Sequence, residues 1–201
     1  MDQGIGRVVE TLKLNNQFEN TLIFFMSDNG GCAELMREDG DWSNTSQWET
    51  NLINGKPVRV GNIPNLRPGP GTTFQSYETP WTNVSNSPFR LFKRWIHEGG
   101  ISAPLIVHWP NKIDEPRIES EPLHIMDIPA TSIDAAGADY PSEFNGNKIK
   151  PIEGESFLKL LSDKWSREQP MYWEHEGNQG IRIGEWKLVK EYGGDWELYN
   201  M

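Results

Sequence analysis

The sequence predicts an α/β region over residues 1–140, followed by a small α+β region over residues 150–201 built on an antiparallel sheet. Three observations carry that expectation. An amphipathic pattern runs directly into a short apolar strand near the amino terminus, a second apolar strand stands near residue 105, and four strand-like runs separated by glycine turns close the chain. Helix then strand at a few residues' separation is half of an α/β unit, whereas short runs joined by tight turns are the pattern of a meander.

In order along the chain, residues 4–14 place Ile5, Val8, Val9 and Leu12 at helical spacing with polar residues between, which predicts an amphipathic helix. Residues 21–26 hold the apolar run Leu22-Ile23-Phe24-Phe25-Met26, which stops at Ser27-Asp28-Asn29-Gly30-Gly31. So short a run, bounded by turn-forming residues, predicts a buried strand rather than a helix. Residues 32–88 show no sustained periodicity, and a loop region of that length in a compact protein is either disordered or functional. The aromatic residues Trp42, Trp48, Phe74, Tyr77 and Trp81 favour an ordered, functional loop, whose flat rings would suit sugars or aryl groups, although for any single ring structural packing is the commoner use.

Ser87-Pro88 has the form of a helix start, cap then first turn. A helix from there to residue 96 or 97 would gather Arg90, Lys93, Arg94 and His97 into one basic stripe, with Phe89, Phe92 and Ile96 on another face. Such a stripe is either an ordinary solvated face or an anion contact, and it precedes Glu98-Gly99-Gly100, where glycines can turn the chain sharply. Pro104-Leu105-Ile106-Val107-His108 predicts a second buried strand, ended by Trp109-Pro110. A further helix should open near Asp127 with Pro129 in its first turn, carrying Ile128, Ile133 and Ala136 towards the core. Residues 138–154 read as a linker and residues 155–161 as a short amphipathic helix. The runs Met171-Tyr172-Trp173-Glu174, Ile181-Arg182-Ile183, Trp186-Lys187-Leu188-Val189 and Trp196-Glu197-Leu198-Tyr199 then predict the meander.

Charge narrows the function. The formal net charge is −10 over 201 residues, which argues against nucleic acid as a partner and requires any anionic substrate to meet a local basic patch. No apolar run approaches the length of a bilayer span, and the amino terminus is unlike a signal peptide. The single cysteine, Cys32, excludes an internal disulfide. Two glycosylation triplets, at Asn44 and Asn83, matter only in a source that glycosylates exported proteins.

The chemistry concentrates at the end of the first strand. Asp28 offers a carboxylate and Asn29 a neutral carbonyl oxygen, a donor mixture suited to a hard cation such as calcium or magnesium, and the following glycines let the backbone fold back beside it. An Asx pair followed by glycine is equally the chemistry of a plain turn.

A resemblance separates these readings. The phrase from Asn20 through Ser27-Asp28-Asn29-Gly30-Gly31 resembles the metal-binding segment of the sulfatase family, in the alkaline-phosphatase-like superfamily. The likeness continues through Lys93 and His97-Glu98-Gly99-Gly100-Ile101-Ser102-Ala103-Pro104, His108-Trp109-Pro110, Trp186-Lys187-Leu188-Val189 and Trp196-Glu197-Leu198-Tyr199. It implies a partial sulfatase sheet-and-helix domain over residues 1–140 and a small C-terminal antiparallel-sheet domain over residues 150–201. It implies an arylsulfatase-like hydrolase of sulfate esters, with Asp28 and Asn29 as ligands to Ca2+, or Mg2+, and Lys93 in contact with the sulfate. His97 would protonate the leaving alcohol or bind a sulfate oxygen, unless it is a structural histidine. Arg90 joins the substrate-binding set, and His175 either lines the pocket or is an ordinary hydrogen-bonded loop residue. Glu98 is expected to anchor its turn through backbone or Arg contacts rather than act as a base. The substrate would be a sulfated sugar or an aryl sulfate, and family members are commonly exported.

The nucleophile of the resembled family is a formylglycine made within a Cys/Ser-x-Pro-x-Arg motif, and this sequence has no such motif: Cys32 is followed by Ala33-Glu34-Leu35, and Asn86-Ser87-Pro88-Phe89-Arg90 has Asn in the nucleophile's place. Calcium asks for about six to eight oxygens, of which Asp28 and Asn29 supply two or three. The expectation is therefore a C-terminal portion of a sulfatase, inactive alone, whose missing N-terminal half carries the nucleophile and further metal ligands. The alternatives are a phosphodiesterase or phosphonate hydrolase of the same superfamily, and a non-catalytic protein that binds sulfated glycans.

Overall fold

The computed structural model describes residues 1–37, 51–76 and 78–201. Trp42, Asn44, Trp48 and Tyr77 lie outside the described residues, so the expectations for them find neither support nor correction here. Helix α1 spans Asp2–Leu14. Its apolar stripe is not buried: Val8 and Leu14 are exposed, so the helix forms on its local pattern without the core contacts that amphipathic spacing implied.

The first long-range element is a pair of strands, β1 (Ile23–Met26) and β4 (Leu105–His108), both where the sequence put them. They run antiparallel, with Ile23 opposite His108 and Met26 opposite Leu105. Phe24 and Val107, also opposite one another, point to the core, where they meet Phe157, Leu160, Leu161 and Trp109. Their neighbours Phe25 and Ile106 are 46% and 59% exposed, so the pair is covered on one face and not on both, as the unbroken apolar runs had suggested. Between these strands in sequence, β2 (Arg59–Val60) and β3 (Thr73–Phe74) form a short parallel pair.

Two expectations fail between residues 78 and 97. Helix α2 occupies Glu78–Asn86, inside the stretch read as loop, and the segment expected to be helical after Ser87 is a series of turns up to the short helix α3 (Glu98–Ile101). The residue that buries α2 is Thr82, whose hydroxyl donates to the Cys32 carbonyl at 2.8 Å, while Trp81 and Val84 are exposed; a helix held by a polar residue leaves no apolar stripe to read. In the turns, Leu91 and Arg94 have φ of 65° and 102°, left-handed conformations that no helix accommodates. The basic stripe of Arg90, Lys93, Arg94 and His97 therefore does not exist.

Helix α4 spans Asp127–Ala135, with Pro129 in its first turn as expected. Its inward residues are Asp127, Ala130 and Thr131, whereas Ala136 is exposed. Thr131 accepts the Phe157 N–H at 3.1 Å and Asp127 accepts the Glu155 N–H at 3.0 Å, which fixes the 3-10 turn Leu158–Leu161 under the β1/β4 pair. That turn takes the place of the longer helix expected over residues 155–161. Residues 138–154 carry a small hairpin, β5 (Glu143–Phe144) and β6 (Asn147–Lys148), turned on Asn145-Gly146 with both φ positive.

The chain ends in the expected meander, β7 (Met171–His175), β8 (Asn178–Ile183), β9 (Trp186–Lys190) and β10 (Glu197–Asn200), each antiparallel to the next. His175 closes β7 opposite Asn178, rather than lying in the loop. Strand alternation sorts the side chains into two sets. Trp173, Gly180, Lys187, Val189, Glu197 and Tyr199 face inward, while Tyr172, Ile183, Trp186 and Leu198 are exposed on the other side.

Candidate metal and anion site

The antiparallel register of β1 and β4 places the outgoing turn after Met26 beside the incoming turn before Leu105. The Gly30 N–H donates to the Gly100 carbonyl at 2.9 Å, so the Asp28-Asn29-Gly30-Gly31 turn and the Glu98-Gly99-Gly100 turn are stitched together. No side chain fits at the seam: a Cβ on Gly30 would stand 1.8 Å from the Gly99 carbonyl oxygen. The Lys93 N–H donates to the Gly31 carbonyl at 2.9 Å, and the Gly31 N–H donates to Asn86 Oδ1 at 2.8 Å. Thus α2, through Asn86, and the Lys93 turn both close on Gly31.

At that junction Asn29 donates its amide Nδ2–H to the Gly30 carbonyl at 2.7 Å, which commits the nitrogen and leaves Oδ1 as a free acceptor. Asp28 is exposed and no described side chain pairs with it; both residues line a cavity of about 1030 Å³ that also receives Glu98, His124, Trp173 and Arg182. A carboxylate and a carbonyl oxygen on consecutive residues, with no hydrogen-bond partner among the described residues, suit a hard cation in kind, although they are fewer than calcium's usual ligand number. Lys93 is exposed on the adjoining turn with its Nζ 3.5 Å from Glu34, a loose surface pair that leaves the ammonium available.

The other sequence candidates lie elsewhere. Arg90 donates to Glu197 at 2.8 Å, to Glu191 at 3.2 Å and to the Tyr199 hydroxyl at 3.3 Å, so it is spent on the meander. His97 is 3% exposed and its Nε2 stands 3.5 Å from Glu197 Oε1, too long for a good hydrogen bond. Burial, and next the Arg90 guanidinium, hold its pKa below the ordinary imidazole value, with Glu197 pulling the other way. Ligand atoms of His97, Glu191 and Glu197 lie within 4.8 Å of one another. Arg90 already occupies both carboxylates with a fixed positive charge, so the group is an ion-paired network in which a metal would meet a guanidinium. Hydrogen bonding from Tyr199 is the first cause that keeps Glu197 below the usual carboxylate value, and the same bond raises Tyr199. His175 is exposed on the meander and touches none of these groups.

Sequence reasoning missed the partner of Glu98. It is Lys187, 1% exposed, whose Nζ donates to Glu98 and to the Ile96 carbonyl at 2.6 Å and lies 5.4 Å from the Trp173 ring centre. Burial lowers its pKa, and the Glu98 carboxylate opposes that shift. A second buried pair, Asp127 with Arg167, also escaped notice; Glu155 completes it at 3.1 Å. The one available signal was alternation: Lys187 falls on the inward phase of its strand.

Comparison with known proteins settles the lineage. Residues 1–138 match the family model described as Sulfatase. The chain belongs to the sulfatase family. Residues 89–201 also match a model described as N-sulphoglucosamine sulphohydrolase, C-terminal. Among relatives, an uncharacterised sulfatase of Schizosaccharomyces pombe is 29% identical over 215 residues, covering 100% of this chain and 36% of its own length. An arylsulfatase of Klebsiella aerogenes is 26% identical over 166 residues, covering 82% of this chain and 33% of its own. The crystal structure of Ps i-CgsB in complex with k-i-k-neocarrahexaose superposes with a TM-score of 0.56 at 26% identity, over 99% of this chain and 34% of that one. This sulfatase chain therefore spans about a third of the length of these relatives. Among the described residues, no helix is long and apolar enough to cross a membrane.

Proposed function

We propose that this chain supplies part of the cation- and sulfate-binding machinery of an enzyme that hydrolyses sulfate esters. Asp28 and Asn29 are its ligands to a divalent cation, calcium in the first place, and Lys93 meets the sulfate. The observation that carries the reading is the Lys93 N–H bond to the Gly31 carbonyl, which ties the lysine's turn to the Asp28–Asn29 turn across sixty-odd residues.

The chemistry follows from what each residue offers. A sulfate ester brings anionic oxygens that must be held while the S–O bond to the alcohol breaks. Asp28 supplies the formal negative charge that retains a cation, and Asn29, its amide nitrogen already committed, presents oxygen without adding charge. The cation, when bound, would polarise the sulfate oxygens. Lys93 is a compact point charge suited to several anionic oxygens at once, and it reaches them by releasing Glu34. The formylglycine nucleophile that the family uses has no counterpart motif in this sequence, so the reading makes the 201-residue chain inactive alone.

Calorimetric titration of calcium chloride into the chain, then of sodium sulfate into the calcium-loaded chain, tests the proposal. Binding of calcium that Asp28→Ala abolishes, and of sulfate that Lys93→Ala weakens about tenfold or more, is the expected result. Calcium binding untouched by Asp28→Ala would overturn it.

A further inference from the structure

We propose that Lys187, on the meander, is a positioning residue for the Lys93 anion contact. The inference deepens the functional reading above and rests on it.

Lys93 sits between two residues in left-handed backbone, Leu91 at φ 65° and Arg94 at φ 102°. Such conformations are unfavourable for residues with a Cβ and persist only where the surrounding structure over-determines them. On the outgoing side of the turn, Trp95 Nε1 donates to Glu191 at 3.1 Å and Arg94 pairs with Glu176, but the hold that spans both sides of His97 is the Lys187 ammonium. It binds the Ile96 carbonyl at 2.6 Å and the Glu98 carboxylate, the residues on either side of His97. Directly after them, Gly99 and Gly100 are wedged: a Cβ on Gly99 would stand 2.1 Å from the Leu91 carbonyl oxygen, and one on Gly100 would stand 2.0 Å from that of Trp95. The Gly99 N–H closes the turn on the Arg90 carbonyl at 3.1 Å. With both ends of the 90–99 segment fixed, the turn has no freedom to slide, and Lys93 is delivered to Gly31.

A buried ammonium is a costly way to fill space, and a methionine of similar length would pack there without desolvating a charge. What methionine lacks is the donor pair that bridges Ile96 and Glu98. Lys187 lies 1% exposed, so it touches no substrate and acts only through the turn.

The test uses the 201-residue chain and three variants, Lys187→Met, Lys187→Arg and Glu98→Gln. Two quantities are read: amide hydrogen exchange at Lys93, Gly30 and Gly99 by NMR, with the β8 and β9 amides as the internal reference, and affinity for inorganic sulfate in the presence of calcium. The expected result for Lys187→Met is exchange about tenfold faster at Lys93 and Gly30 with β8 and β9 still protected, and sulfate affinity about tenfold lower. Lys187→Arg restores part of both. Parent-like exchange and sulfate affinity in Lys187→Met overturn the proposal. Where that variant also loses the β8 and β9 protection, Glu98→Gln decides by the same two readings. A parent chain that binds no sulfate overturns the reading of Lys93 and this proposal with it, whereas a parent that binds while the variants match it overturns this proposal alone.

Discussion

The Arg90 guanidinium reaches Glu197 across 107 positions of sequence and bonds it at 2.8 Å. That contact, with Lys187 on Glu98, fastens the turns around Lys93 to the inner face of the meander. Arg90 has a side chain 53% exposed, so solvent screens the pair and the coupling energy in a double-mutant cycle should be about 0.5–1 kcal/mol. Glu197→Ala alone should cost more, about 1–3 kcal/mol in urea unfolding, because the Tyr199 hydroxyl loses its acceptor as well as Arg90. Strict additivity of Arg90→Ala and Glu197→Ala would show that the contact contributes nothing.

Glycines at the seam make a sharper prediction. Gly30→Ala puts a Cβ 1.8 Å from the Gly99 oxygen, backbone that cannot rotate away, so the two turns must part. Destabilisation of at least about 2 kcal/mol is expected, with calcium binding lost in parallel. Gly4, in α1, has nothing within 4 Å of such a Cβ, and Gly4→Ala should stabilise by about 0.5–1 kcal/mol. Thermal melts of the two single variants decide both.

Acid should weaken the fold in two stages. His97 and His124 are held neutral chiefly by burial; Arg90 adds to the effect at His97, while at His124 Asp127 opposes it and Arg167 adds to it. The unfolded chain takes up these protons near pH 6.5, about the ordinary value, so it binds more protons than the fold below that point and stability falls as pH drops through it. Glu197 behaves as a depressed carboxylate: the stability it gives is present above the ordinary carboxylate value and is lost as pH falls further, through its folded value. Urea midpoints measured from pH 7.5 to 2.5 should decline in both windows, and His97→Gln should flatten the first. A midpoint constant between pH 7.5 and 5.5 would contradict the burial argument.

Glu34 competes with any anion for Lys93. The pair is open to solvent at 3.5 Å, so releasing it costs at most about 1 kcal/mol. Glu34→Gln should therefore strengthen sulfate binding by up to about fivefold and leave calcium binding unchanged. Weaker sulfate binding in that variant would mean that Glu34 orients Lys93 rather than distracting it.

The strands and the meander were legible in the sequence because short apolar runs and alternation mark extended chain: β1, β4, β7, β9 and β10 fall on those runs and β8 ends on its own. The runs of β1 and β4 did not reveal that one of their faces is open. Asp28 and Asn29 were visible because they end a strand. The rest was hidden for physical reasons. Helix α2 is anchored by Thr82, a residue that carries no hydrophobic signal. The helix expected after Ser87 matched its spacing by coincidence, since left-handed backbone at Leu91 and Arg94 leaves no trace in composition. Lys187 and Asp127 are charged residues at buried positions whose partners lie 89 and 40 residues away, and a charge normally predicts exposure. Lys93 alone of the stripe lies on a turn bonded directly to Gly31, and it was singled out by family likeness rather than by periodicity.

The hydrogen bond from the Lys93 amide to Gly31 makes everything in between a detour: the polypeptide departs from one glycine and comes home to it. An excursion pinned at its base can change length cheaply, since doubling a flexible loop adds only about 0.6 kcal/mol of closure entropy. The tie is made between main-chain atoms, so side chains strung between its two ends can vary without touching it, provided Asn86 keeps its hold on Gly31 and the Arg90 carbonyl its hold on Gly99.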